Sequence, residues 1–201
     1  MKNQVAAGLN MGIAGIPWWT TDIGGFFGAN INDPEFHELL VRWFEYGCFC
    51  PVMRLHGYRW PLQPQYGTTG GATCVSGAPN EVWSYTDQVC EILSDYLRLR
   101  ERMLPYITEL MEEAHEKGTP VMRPLFYDFP EDKESWNVET EYMFGPKVLV
   151  KPITDADARE TDVYLPGGAS WTNAWTGETF EGGQKVHVAA PIEQIPLFTR
   201  D

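Results

Sequence analysis

The hydrophobic pattern of the chain changes near residue 118. Before that point, stretches with apolar residues three or four positions apart alternate with short, mostly apolar runs. After it, short alternating stretches are separated by Gly, Pro and Thr. The first pattern is typical of helices that alternate with buried parallel strands, and the second of antiparallel strands joined by turns. We therefore expect an α/β region over 1–117 and an all-β domain, part of a sandwich, over 118–201.

Three helices and two strands are expected in the α/β region. Residues 3–12 are predicted to be the end of a helix, and Asp33 followed by Pro34 offers the N-cap and N1 proline of a second helix. The mostly apolar runs 13–21 and 51–55 lack strict alternation, which favours strands buried on both faces. Between the second strand and the third helix, residues 58–79 are predicted to be a long loop.

The third helix carries the clearest boundary signals. Asn80 can cap a helix that begins at Glu81, and Pro105 should end or kink that helix at Leu104. Further helical turns are expected to stop at Gly118, a residue type favoured just beyond a helix C-terminus. In the β domain, the predicted strands are 121–126, 148–153, 161–165, 170–174, 185–189 and 195–198.

Composition excludes several function classes. The chain has 28 acidic and 15 basic residues, a net charge of −13. Binding to nucleic acid or to an anionic membrane surface depends on Lys and Arg, so we expect neither partner. No apolar run approaches the roughly 20 residues of a membrane span. The 201 residues also fall short of the about 250 that a complete (β/α)8 barrel typically needs.

The cysteine pattern favours a reducing compartment. Disulfide frameworks occur mainly in much shorter secreted chains, and a Cys-x-Cys pair without a second pair is not a zinc site. We therefore expect free, buried thiols, a cytoplasmic location, no metal and no cofactor. The cysteines in question are Cys48, Cys50, Cys74 and Cys90.

Polar residues follow both predicted strands. Asp22 precedes two glycines, and Arg54 and His56 precede Gly57. Parallel strands bring such groups together at their carboxyl ends, where ligands bind. A carboxylate, a guanidinium and an imidazole beside aromatic rings suit an uncharged polar ligand with apolar faces, such as a sugar. The neighbouring aromatic residues are Trp18, Trp19, Phe26, Phe27, Tyr58, Trp60 and Tyr66.

Other interpretations of these residues remain open at this point. Asp22 could cap a turn, and His56 could be a structural histidine. Hydrolysis of a glycosidic bond usually needs two carboxylates that flank it, and only Asp22 stands at a predicted strand end. The chain also lacks the Gly-x-Ser-x-Gly, His-Glu-x-x-His and phosphate-loop motifs.

The sequence resembles glycoside hydrolase family 31, the α-glucosidases and α-xylosidases. Seven stretches carry this resemblance in the order found in the family and cover nearly the whole chain. They include Trp-Thr-Thr-Asp-Ile-Gly-Gly-Phe and Arg-Leu-His-Gly. The stretches are 19–26, 42–43, 51–57, 102–106, 118–126, 143–146 and 163–166.

The resemblance implies both a fold and a set of site residues. Residues 1–117 would be the C-terminal part of a (β/α)8 barrel, about its last two βα units, and 118–201 the β-sandwich domain that follows. Asp22 and His56 would hydrogen-bond the sugar in subsite −1, and Phe26 would line that pocket. Arg54 matches the arginine of the Arg-x-His motif. The implied partner is an oligosaccharide or glycoside substrate.

The chain departs from the family in its catalytic motifs. Family members are retaining enzymes whose nucleophile and acid/base are aspartates in Trp-x-Asp-Met-Asn-Glu-like and Trp-x-Gly-Asp-like motifs, and neither occurs here. In family order both belong upstream of residue 1. The resemblance therefore implies a C-terminal fragment of an enzyme that hydrolyses α-glucosides or α-xylosides, with no catalytic residue of its own and no activity in isolation.

Two further hypotheses come from other classes. The chain could be a non-catalytic sugar-binding module, or a subunit that a second polypeptide completes. It could also be a structural remnant without activity. Two barrel strands without their neighbours leave open edges and apolar faces, so we expect possible self-association through them.

Overall fold

A computed structural model describes residues 1–201. Helices and one parallel strand pair dominate its first part, and antiparallel sheets dominate its second. The helices are α1 (Lys2–Ile13), α2 (Pro34–Cys48), α3 (Asp87–Lys117) and the short α4 (Leu125–Asp128). None of them combines the length and the apolar character needed to span a membrane.

The strands form three sheets. β1 and β2 are parallel, and β3 is antiparallel to β2. An antiparallel sheet of six strands has the order β4-β5-β6-β11-β8-β9, and β7 pairs with β10. The strands are β1 (Phe27–Asn30), β2 (Tyr58–Gln63), β3 (Ser76–Ala78), β4 (Met122–Pro124), β5 (Tyr142–Phe144), β6 (Val148–Val150), β7 (Glu160–Leu165), β8 (Ser170–Asn173), β9 (Thr179–Glu181), β10 (Gln184–Ala189) and β11 (Leu197–Arg200).

The six-stranded sheet is buried on both faces. In β5, Tyr142 and Phe144 pack into a cluster of 25 buried residues that includes α1, α2 and α3. Met143, which points the other way, packs into a second cluster of 10 residues, together with β7 and β10. The two sheets of the second part therefore form the expected sandwich, and the helices cover its other side. The predicted domain division at residue 118 stays a prediction.

A buried arginine joins α2 to the second part of the chain. Arg42 donates hydrogen bonds to the backbone carbonyls of Ala158, Ala190, Pro191 and Gln194 at 2.7–3.3 Å, and to the carboxylate of Glu45 at 3.1 Å. Burial raises the pKa of Glu45 to about 8, although the neighbouring guanidinium opposes that shift. A charge in this position is tolerated because every listed acceptor surrounds it.

Several sequence predictions are confirmed. The side chain of Asp33 caps α2 by accepting from the Glu35 N–H, and Pro34 is its first residue. Gly118 ends α3 in a left-handed conformation with φ at 70°. The predicted strands 161–165, 170–174 and 185–189 match β7, β8 and β10 within one residue at each end.

The two predicted strands of the first part are wrong as strands. Segments 13–21 and 51–55 lie side by side but share only the Val52-to-Trp19 and Ile23-to-Arg54 backbone hydrogen bonds, at 3.1 and 3.2 Å. Proline in each segment removes a backbone donor, which weakens a regular ladder. The parallel pairing forms further along the chain, between β1 and β2. Self-association through the open faces of this region stays a prediction.

The predicted loop over 58–79 is also wrong, because it contains β2, β3 and a turn of 3-10 helix at Gly70–Thr73. The third helix begins at Asp87, with Thr86 rather than Asn80 as its N-cap. The Asn80 amide instead donates to the Gly57 carbonyl at 3.4 Å and accepts from the Tyr85 hydroxyl.

α3 runs on through Pro105 instead of ending at Leu104. Proline removes the hydrogen bond to the carbonyl four residues earlier. That residue, Glu101, is exposed, as is Pro105, so water can satisfy the carbonyl. Ile107 and Leu110 continue the buried face beyond the proline, which keeps the helix packed.

All four cysteines are free. Cys48 and Cys50 are buried, and burial raises the pKa of both thiols to about 12. Cys74 is exposed, which corrects the expectation that every thiol is buried.

Candidate functional site

The candidate site begins with a glycine turn that follows segment 13–21. The Gly25 N–H donates to the Asp22 carbonyl at 2.7 Å and closes the turn. Gly24 and Gly25 have φ of 80° and 88°, conformations that cost little only for glycine. The turn brings the Asp22 carboxylate out of the backbone at the end of the segment and directs the chain into Phe26.

The second segment supplies the partner of that carboxylate. Arg54 forms a hydrogen-bonded ion pair with Asp22 across the two adjacent segments. The Asp22 side chain is 20% exposed and the Arg54 side chain 49% exposed. The arginine therefore fixes the orientation of the carboxylate while leaving part of it accessible to a ligand.

A close backbone contact brings Phe26 to His56. The Tyr58 N–H donates to the Phe26 carbonyl at 3.0 Å, and the two rings of Phe26 and His56 lie 5.5 Å apart between centroids. Gly57 makes this approach possible, because a Cβ there would lie 2.0 Å from the Phe26 carbonyl oxygen. Phe26 is 53% exposed, so its ring is accessible.

A buried arginine that sequence reasoning missed supports the turn from below. Arg59 donates to the Ile23 carbonyl at 3.0 Å and to the Gly25 carbonyl at 2.8 Å. Its guanidinium also lies 5.0 Å from the ring centroid of Phe36. Once Tyr58–Gln63 is known to be a strand, alternation places Arg59 opposite to its exposed neighbours; the assignment of this segment to a loop hid that signal.

The structure thus brings all four predicted site residues to one pair of adjacent segments. Asp22 contacts Arg54, and Phe26 contacts His56. The arrangement offers a carboxylate acceptor, an imidazole and an aromatic face on an open surface. No group of three or more His, Cys, Asp or Glu side chains is arranged to hold a metal ion.

Comparison with known proteins decides the family. Residues 1–110 match the glycosyl hydrolases family 31 TIM-barrel domain, and residues 118–201 match the glycosyl hydrolase family 31 C-terminal domain. The chain belongs to glycosyl hydrolase family 31. The match confirms the expected fold class, a part of a (β/α)8 barrel followed by a β domain.

Relatives within family 31 include both types of enzyme named by the resemblance. An α-xylosidase of Saccharolobus solfataricus is 38% identical over 200 residues, which cover 100% of this chain and 25% of the relative. Alpha-glucosidase 2 of Bacillus thermoamyloliquefaciens is 35% identical over 193 residues, covering 96% of this chain and 22% of the relative. The chain therefore spans about a quarter of the length of these curated relatives.

A solved family 31 structure is similar throughout. The crystal structure of an α-xylosidase from a soil metagenome, complexed with xylose, has a TM-score of 0.95 and 53% sequence identity. The match covers 99% of this chain and 30% of that one. The extended segments, the glycine turn and the sandwich thus belong to a family 31 architecture.

Proposed function

We propose that this chain supplies one side of the sugar-binding pocket of a retaining α-glycosidase that acts on α-xylosides or α-glucosides. The observation that carries the proposal is the placement of Asp22, Arg54, Phe26 and His56 at the ends of two adjacent segments. The names of the relatives, α-xylosidases and α-glucosidases, and the xylose in the soil-metagenome structure support this substrate class.

Each residue has a separate role in the proposal. The Asp22 carboxylate accepts hydrogen bonds from sugar hydroxyls, and the His56 ring provides a further hydrogen bond. The exposed ring of Phe26 packs against the C–H face of the sugar. Arg54 touches Asp22 rather than the sugar and holds the carboxylate in place.

The proposed chain binds but does not hydrolyse. Retaining glycosidases use a carboxylate nucleophile and a second carboxyl group as acid/base. We infer that both groups lie in parts of the family's TIM-barrel domain outside these 201 residues. Asp22, which is paired with Arg54, is well placed to accept hydrogen bonds but poorly placed to protonate a leaving group.

A xylose titration followed by NMR tests the binding role. We expect wild-type chain to bind xylose with a dissociation constant above a millimolar, with shifts of the Gly24, Gly25 and His56 signals. Asp22→Asn should weaken binding at least about tenfold, because hydrogen bonds to a charged acceptor are worth about 1.5–3 kcal/mol. Asp95→Asn is the matched control, since Asp95 forms an exposed pair with Arg98 at 2.6 Å.

The control should bind xylose as the wild type does, and both variants should keep the wild-type melting temperature within a few degrees. Equal affinity of Asp22→Asn and wild type would refute the proposed role of Asp22. A submillimolar affinity of the isolated chain would instead favour the alternative that it is a complete, non-catalytic sugar-binding module.

A further inference from the structure

Three exposed aromatic side chains lie on one face of the parallel pair β1 and β2, beside the candidate site. Successive residues of a strand point to opposite faces, so Tyr58 and Trp60 lie on one side and the buried Arg59 on the other. Phe27 is paired with Tyr58 in the sheet register, and the two rings are stacked with their centroids 6.3 Å apart. We call Phe27, Tyr58 and Trp60 the aromatic strip.

The aromatic strip is continuous with the proposed sugar pocket. The Phe26 ring lies 5.5 Å from His56 and 6.0 Å from Phe27, and Phe27 in turn lies 6.3 Å from Tyr58. Consecutive rings are therefore in contact from His56 to Tyr58. The row begins at the Asp22 cluster and leads away from it along the sheet.

The rings of the aromatic strip are accessible rather than part of the core. Phe27 is 68% exposed and Trp60 46% exposed, and neither belongs to the two buried clusters. Contiguous exposed apolar surface marks a binding site more often than an isolated exposed ring does. Aromatic side chains also lose little conformational entropy on binding, because they have only two rotatable side-chain bonds.

We propose that the aromatic strip binds the sugar units beyond the one held by Asp22 and His56, so that the site recognises an oligosaccharide rather than a single sugar. Pyranose rings present apolar C–H faces in succession along an oligosaccharide chain. A row of accessible aromatic rings that starts at the pocket offers one such face after another. This inference rests on the proposed function, since it needs a first sugar at Asp22.

Titration of the 201-residue chain with glucose and with isomaltotriose tests the inference, because the chain is expected not to hydrolyse either sugar. Isomaltotriose should bind several-fold more tightly than glucose and should shift the aromatic signals of Phe27, Tyr58 and Trp60. Phe27→Ala should raise the dissociation constant for isomaltotriose about fivefold, from the loss of one aromatic contact, and change that for glucose less than about twofold.

Phe126→Ala is the matched control. Phe126 also forms a stacked pair with an exposed ring, that of Trp136, with centroids 4.6 Å apart, but this pair lies on the β domain. The control should leave both affinities unchanged, and the Trp136 signals should not shift with either sugar.

The outcomes separate the two proposals. If isomaltotriose binds no more tightly than glucose, or if Phe27→Ala has no effect on it, the inference is wrong while the proposed function stands. Equal shifts at Trp136 would show unspecific stacking and would also overturn the inference. If neither sugar shifts the Asp22 cluster, the proposed function fails as well.

Discussion

Arg42→Ala is expected to lower the free energy of unfolding by about 3–5 kcal/mol, the cost of removing one partner of a buried ion pair. Arg42 donates to four backbone carbonyls of the second part of the chain and to Glu45. Alanine would leave these buried acceptors without donors. Urea unfolding followed by fluorescence gives the change directly.

Two controls separate this network from a general effect of losing charge. Arg159→Ala removes an exposed arginine whose partner is Glu38, so it should cost less than about 1 kcal/mol. Glu45→Gln should cost less than Arg42→Ala, because burial raises the pKa of Glu45 to about 8 and a neutral side chain of that shape suits the site. A loss below 1 kcal/mol for Arg42→Ala would contradict the account of this network.

Gly57→Ala is expected to destabilise the chain by roughly 2–4 kcal/mol and to disrupt the candidate site. The new Cβ would lie 2.0 Å from the Phe26 carbonyl oxygen, and φ at this position is 99°. Relief of the clash must move Phe26 away from Tyr58 and His56. Thermal unfolding measures the first effect, and loss of xylose-induced shifts at His56 measures the second.

Gly168→Ala provides the matched comparison. Gly168 has a similar φ of 86°, but no atom lies within 4 Å of the position its Cβ would take. It should therefore show the conformational cost alone, on the order of 1 kcal/mol. Equal destabilisation by the two substitutions would mean that the contact with Phe26 carries no cost, contrary to the structure.

Local signals in the sequence determined the helices better than the sheets. The Asp33 cap and the Gly118 C-terminus act within a few residues, so sequence reasoning located them. β5, with Tyr142 and Phe144, was missed because it is buried on both faces and has no polar alternation. The failure at Pro105 has another cause, since tertiary packing on either side keeps α3 intact despite a lost hydrogen bond.

The site followed the same rule. Asp22, Arg54 and His56 were found from their places after apolar runs, although those runs do not form regular strands. Arg59 was missed because its importance comes from contacts with Ile23 and Gly25, more than 30 positions earlier. The position of the aromatic strip likewise depends on the register between β1 and β2, which no local pattern reveals.

The most direct test of the central claim is the hydrolytic activity of the purified 201-residue chain on aryl α-xyloside and aryl α-glucoside. The account holds that these residues bind sugar, whereas the nucleophile and the acid/base lie outside them. Acid/base catalysis alone contributes about 10²–10⁴-fold, and loss of the nucleophile removes the covalent route as well. We therefore predict product release no faster than in buffer. Turnover near that of a full-length family 31 relative would contradict the account.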